Sequence, residues 1–116
     1  MSDLSSKKCQ PCEEGTPPLT KDQYNPLMKQ LKLQWPVLID KNSQPKIRHE
    51  FKFDDYLDGL DFAFNVGKLA NDEDHHPNIH IYYKRVVIDL TTHNIGGLSE
   101  NDFIVAAKIE QLVSPS

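Results

Sequence analysis

Two short segments carry the residue types most suited to chemistry: Asp74-His75-His76-Pro77, and Thr92-His93 a little further on. Three of the five histidines fall in them. Imidazole is the side chain whose ordinary pKa, about 6.5, lets it give and take protons near neutrality. Three imidazoles brought together by a β-hairpin would form a proton-transfer site or a metal site. A lone histidine is more often a surface or core residue satisfied by one hydrogen bond, so the weight rests on the convergence.

The elements that must position these residues can be read from periodicity. Thr20 is placed as the N-cap of a first helix with Gln23 three residues on, as in a capping box, and Tyr24, Leu27, Met28 and Leu31 form one helical stripe that Pro26 interrupts. Leu33, Trp35, Val37 and Ile39 alternate, as do Ile47, His49, Phe51 and Phe53, across a turn-rich stretch from Asp40 to Pro45. This predicts a hairpin, with Pro36 placing its first strand at an edge. Asp54 is the expected cap of a second helix carrying Tyr56, Leu60, Ala63, Gly67 and Ala70, where Gly67 would admit a close neighbour.

Ile79, Ile81 and Tyr83, then Val86, Ile88, Leu90 and Thr92, predict a second hairpin turning at Lys84-Arg85. Ser99 caps a third helix with Asp102 at its third position and Val105, Ile109 and Leu112 on the buried side. The order α-β-β-α-β-β-α implies an α+β two-layer sandwich, a four-stranded antiparallel sheet with three helices on one face. Residues 1–19 hold Cys9 and Cys12 as a CxxC, three of the eight prolines and few apolar residues, and read as a flexible arm; residues 20–116 read as one domain. A single CxxC is half a zinc site or a redox pair, and a solvated tail is the simpler reading.

At 116 residues there is room for one core. The net charge of −4 and the lack of a long basic stretch argue against nucleic-acid binding. No apolar run approaches the roughly 20 residues of a membrane helix, and the first residues lack a secretory signal, so a cytoplasmic location is expected.

The register of the second hairpin supplies a geometric expectation. With Lys84-Arg85 as the turn, continuing the ladder sets His76 opposite His93, and Pro77 bends the entry so that His75 and His76 line one pocket. Three histidines could hold zinc, although adjacent histidines diverge on an extended chain. They could equally serve metal-free acid–base catalysis. No activated serine or core thiol offers a nucleophile, and Gly96-Gly97 lacks the rest of a phosphate-binding loop.

Asp74-His75-His76-Pro77, Tyr83, Val86, Leu90, Thr92-His93, Gly97-Leu98-Ser99 and Asp102 together resemble the motif of the pterin-4a-carbinolamine dehydratases, also known as dimerisation cofactors of a homeodomain transcription factor. The resemblance runs from about Thr20 to the C-terminus. It implies dehydration of 4a-hydroxytetrahydrobiopterin to the quinonoid dihydropterin, in tetrahydrobiopterin recycling beside an aromatic amino-acid hydroxylase, with pterin as substrate and no cofactor or metal. It implies His75 and His93 as the acid–base pair and His76 as a substrate-orienting residue. Trp35, Asp74, Pro77 and Asp102 would complete the substrate site, Trp35 as an aromatic wall or a core residue and Asp102 as a carboxylate holding a histidine or as a helix cap.

Some members place an acidic residue four positions before the first histidine, where this chain has Asn71; His80 is not part of the family motif. The resemblance further implies a homodimer or homotetramer. Two alternatives remain at this point: a non-enzymatic interaction module using the helical surface, and a metal-binding protein.

Overall fold

The computed structural model describes residues 4–11 and 13–113. The element order is α1 (Lys21–Met28), β1 (Val37–Ile39), β2 (Pro45–Lys52), α2 (Tyr56–Glu73), β3 (Asn78–Tyr82), β4 (Arg85–Leu90) and α3 (Glu100–Val113), with single 3-10 turns at Leu4–Ser6 and His93–Ile95. The four strands form one antiparallel sheet in the order β1-β2-β4-β3. Ile47, Phe51, Val86, Ile88 and Leu90 turn one face of it into the core against Phe62, Ala63 and Val66 of α2 and Phe103, Ile104 and Ile109 of α3. This is the α+β sandwich and element order that the periodicity predicts.

Local chemistry explains the elements. Thr20 starts α1, its N–H bonded to the Gln23 side chain at 2.8 Å, and Pro26 is accommodated inside the helix. α2 begins one residue later than expected, with Asp55 accepting from the Leu57 N–H, and buries Phe62, Ala63, Val66 and Ala70 while Tyr56 turns outward. The close approach falls at Gly59, not Gly67: a Cβ there would meet Val86 at 3.4 Å and Phe53 at 3.5 Å, whereas Gly67 faces open space. α3 is buried almost all round from Asn101 to Glu110, so it is the central helix, and only its last turn emerges, leaving Leu112 exposed rather than buried.

Three further expectations are corrected. The second hairpin turns at Tyr83-Lys84, pairing Tyr82 with Arg85 and Ile79 with Ile88. Arg85 is drawn into the ladder because it pairs with Lys52 on β2, bonds Glu50 at 2.7 Å and stacks on the Tyr82 ring at 3.9 Å. The two-residue shift preserves which side chains face the core, but it removes the pairing of His76 with His93. Trp35 lies outside β1, in an irregular segment bound to α3: Glu110 accepts the N–H groups of Lys32 (3.0 Å) and Leu33 (2.7 Å) and the Trp35 indole N–H (2.9 Å). The N-terminal segment, finally, is docked at Leu4, only 2% exposed with its turn packed on α3, while residues 13–18 are exposed. Cys12, the second cysteine of the CxxC, lies outside the described residues.

The open face of the sheet is polar and centred on a buried carboxylate. Asp89 accepts from the Arg48 guanidinium (Nη2 at 2.9 Å), from Lys46 Nζ at 3.2 Å, and lies 3.2 Å from His80 Nε2. Burial pushes its carboxyl up, but the Arg48 and Lys46 bonds outweigh this and hold it below the ordinary value. A carboxylate depressed in the folded state stabilises at neutral pH, and that stability is lost as pH falls through the folded value. Asp89→Asn is therefore expected to cost about 1–3 kcal/mol at pH 7, with the gap to the native protein narrowing in acid. Urea unfolding of both proteins at several pH values measures it, and a pH-independent gap would remove the ionic explanation. Among the described residues, no helix is long and apolar enough to cross a membrane.

Candidate active site

α2 ends in a way that fixes His75. Asp74 adopts the left-handed conformation (φ 52°, ψ 40°), its N–H bonding the Asn71 carbonyl, and the His75 N–H closes on the Ala70 carbonyl at 3.1 Å. This is the paired hydrogen-bond pattern of a Schellman stop, normally built on glycine. An aspartate there carries backbone strain, which tends to persist at functional positions. The turn sends the His75 ring toward the start of α3, where its Nε2 lies 2.7 Å from Asp102 Oδ1.

Asp102 is fully buried, and among the described residues its carboxylate is met by Ser99, Thr92 and His75. Oδ2 accepts the Ser99 backbone N–H and the Thr92 hydroxyl, each at 2.9 Å. The Thr92 hydrogen being committed there, the Ser99 hydroxyl donates to Thr92 Oγ1 at 2.7 Å. An acceptor on Oδ1 places the proton of a neutral His75 on Nε2 and leaves the lone pair on Nδ1. With its side chain 12% exposed, the His75 imidazole is held largely out of solvent by this contact.

His75 lines a polar cavity of about 250 Å³ together with Asp74, Thr92, Asn94 and Asn101 on the domain side, and with Glu73 beneath Cys9, Gln10 and Pro11. Glu73 is buried and accepts the Cys9 N–H and Lys108 Nζ, both at 2.9 Å. Burial pushes the Glu73 carboxyl up, but those two donors outweigh it and hold it below the usual range. Burial and the neighbouring Glu73 push the Cys9 thiol up to about 12, so it is not a thiolate nucleophile.

The other candidate residues are dispersed. His76 is exposed and lines a separate apolar groove with Leu60, Phe64, Gly67 and Ile79, so His75 and His76 do not share a pocket. His93 is exposed, its Nδ1 3.4 Å from the Gln44 amide, although its neighbours Thr92 and Asn94 both line the His75 cavity. Trp35 is 2% exposed, against His49, Phe51 and Glu110, and lines neither of these two spaces. Pro77 is half-buried in the link from Asp74 to β3. Among the described residues, no group of three or more His, Cys, Asp and Glu side chains is placed to hold a metal ion. Sequence reasoning does not reach Glu73 or Asn101 as cavity residues, and reads Cys9 only as part of a CxxC. Glu73 could have been reached, because Ala63, Val66, Ala70 and Glu73 follow the helical period that marks the buried face of α2.

Comparison with known proteins bears on the family. A family model described as pterin 4 alpha carbinolamine dehydratase matches residues 17–112. A Nitrosospira multiformis protein is 44% identical over 112 residues, covering 97% of this chain and 94% of its own, and one from Nitrosomonas eutropha is 41% identical over 111 residues, covering 96% and 94%. Both are named as candidate pterin-4-alpha-carbinolamine dehydratases. A Brucella melitensis crystal structure described as a transcriptional coactivator/pterin dehydratase superposes with a TM-score of 0.74 at 28% identity, over 84% of this chain and 99% of that one. A pterin dehydratase-like RuBisCO assembly factor of the alpha-carboxysome shares the fold, with a TM-score of 0.60 at 22% identity. With the family model spanning nearly all of the folded region and relatives above 40% identity along almost the whole length, the chain belongs to the pterin-4-alpha-carbinolamine dehydratase family.

Proposed function

We propose that the protein dehydrates a 4a-hydroxytetrahydropterin to the quinonoid dihydropterin by metal-free proton transfer, with His75 as the base. The observation that carries this is the His75–Asp102 pair: a buried carboxylate lies 2.7 Å from Nε2 of a histidine that lines a cavity, and a hydrogen bond accepted there leaves Nδ1 as the nitrogen able to act as base. The elimination removes the N5 proton of the substrate and expels the C4a hydroxyl as water. His75 Nδ1 takes the first proton, and Asp102 steadies the imidazolium that results. An imidazolium at His93, beside the cavity-lining Thr92 and Asn94, supplies the second to the departing oxygen. Each turnover leaves His75 protonated and His93 neutral, and exchange with solvent restores both.

Asp74, lining the same cavity, accepts from the amino edge of the pterin ring, and Pro77 holds the link that carries His76. The ring of His76 opens onto the groove, so its orienting role would act from that side. Recycling of tetrahydrobiopterin after an aromatic hydroxylase is the physiological setting that this chemistry serves.

Spectrophotometric assay of carbinolamine dehydration tests the reading. Activity is expected, and it should survive exhaustive chelation, because both steps move only protons. Activity abolished by chelator and restored by zinc would transfer the site to metal chemistry. His93→Ala should lower turnover more than it raises KM, whereas an unaltered rate would remove it from the mechanism.

The surface supports assembly of copies. Phe64 and Leu57 on α2 are about two-thirds exposed, the groove beside them measures about 670 Å³, and β1 and β3 are open edges. Apolar area of this kind and unpaired edges are what a small domain hides by association. A dimer or tetramer is expected by light scattering at micromolar concentration, and a monodisperse monomer would refute it.

A further inference from the structure

The N-terminal segment lies outside the residues given a role above, yet it is built into the His75 cavity. Leu4 anchors it in the core. Beyond that anchor, the Cys9 N–H binds Glu73, the Gln10 N–H binds Asn101 Oδ1 at 2.9 Å, and the Gln10 carbonyl accepts the Asn101 amide. Asn101 is itself buried and precedes Asp102, while Glu73 stands two residues before His75. Each partner of the catalytic pair thus has an anchor of the segment within two residues of it.

We propose that Cys9-Gln10-Pro11 is the substrate-positioning wall of this cavity, latched by Glu73 and Asn101. The proposal rests on the pterin reading of the preceding subsection. The wall is uncharged, since the Cys9 thiol stays protonated at neutral pH. Its main chain has already spent the Cys9 and Gln10 N–H groups on the latch, and the Cys9 thiol lies 3.8 Å from the Asn101 carbonyl, so the apolar surface left to the cavity is that of Pro11. That surface suits the face of a flat neutral heterocycle, while the polar groups at Asp74, His75 and Asn94 meet its edge. Because the latch residues adjoin the catalytic pair, a bound ring would be gripped between the segment and the helix ends that hold His75 and Asp102.

Hydrogen exchange read by mass spectrometry on the full chain, with and without saturating 7,8-dihydropterin, tests this. Slower exchange is expected both in the peptide covering residues 4–11 and in the one containing His75. Protection confined to the His75 peptide would overturn the wall while leaving the pterin site standing. Protection in neither would overturn the pterin site and the wall with it. Kinetics of Gln10→Pro, which lacks the N–H that Asn101 accepts, provide a second readout. KM is expected to rise about tenfold, the equivalent of one lost hydrogen bond, with kcat changed far less. A purely structural role would lower the melting temperature without moving KM, and unchanged KM in a variant whose segment exchanges freely would sink the proposal.

Discussion

Replacing His75 with alanine is expected to lower turnover by about 10²–10⁴-fold, the usual effect of removing a positioned acid or base. The fold should survive. Among the described residues, the His75 ring makes one side-chain hydrogen bond, to Asp102, which keeps its bonds from Ser99 and Thr92. Leaving one carboxylate oxygen short of a partner beside a cavity costs about 1–3 kcal/mol, set against the 5–15 kcal/mol typical of a domain. Circular dichroism should therefore match the native protein while the steady-state rate collapses. Near-native turnover from a folded His75→Ala protein would end the case for His75 as the base.

Asp102→Asn should be nearly as damaging, for a reason that can be traced atom by atom. Thr92 and Ser99 both donate to Oδ2, so the asparagine must set its oxygen there and turn its NH2 toward His75. A donor facing Nε2 makes that nitrogen the acceptor and moves the imidazole proton to Nδ1. The atom presented to substrate then carries a hydrogen where a lone pair is needed. A loss of roughly 10²–10⁴-fold in kcat is expected from the inverted tautomer alone, with a KM change much smaller than the loss in kcat. Nitrogen-15 NMR of the His75 ring would report the tautomer directly. Observation of the Nε2–H form in an inactive Asp102→Asn protein would refute the explanation.

The parts of this architecture legible in the sequence are those set by local periodicity. The Tyr24-to-Leu31 stripe, the alternation of Ile47 to Phe53 and of Val86 to Leu90, and the placement of Ser99 and Asp102 at a helix start each depend on neighbours a few residues away. The misread parts depend on distant partners. Arg85 leaves the turn because Glu50 and Tyr82 hold it in the ladder. Trp35 sits in the core because Glu110, far along the chain, takes its indole N–H. Leu4 was too isolated an apolar residue to signal docking, since the surface that receives it belongs to α3. At the candidate site, Asp102 is legible through resemblance and capping position, whereas the docking of His75 on α3 follows a left-handed turn at Asp74 that no glycine signals.

That turn has a thermodynamic meaning beyond geometry. The backbone of His75 is pinned to Ala70 and its ring to Asp102, so its main-chain and rotamer freedom is surrendered when α2 and α3 dock. An exposed histidine would give up that entropy each time a ligand arrived, subtracting it from every encounter. Here the ordering is charged once, to folding, and an imidazole acting as the proposed base would meet its ligand already immobilised.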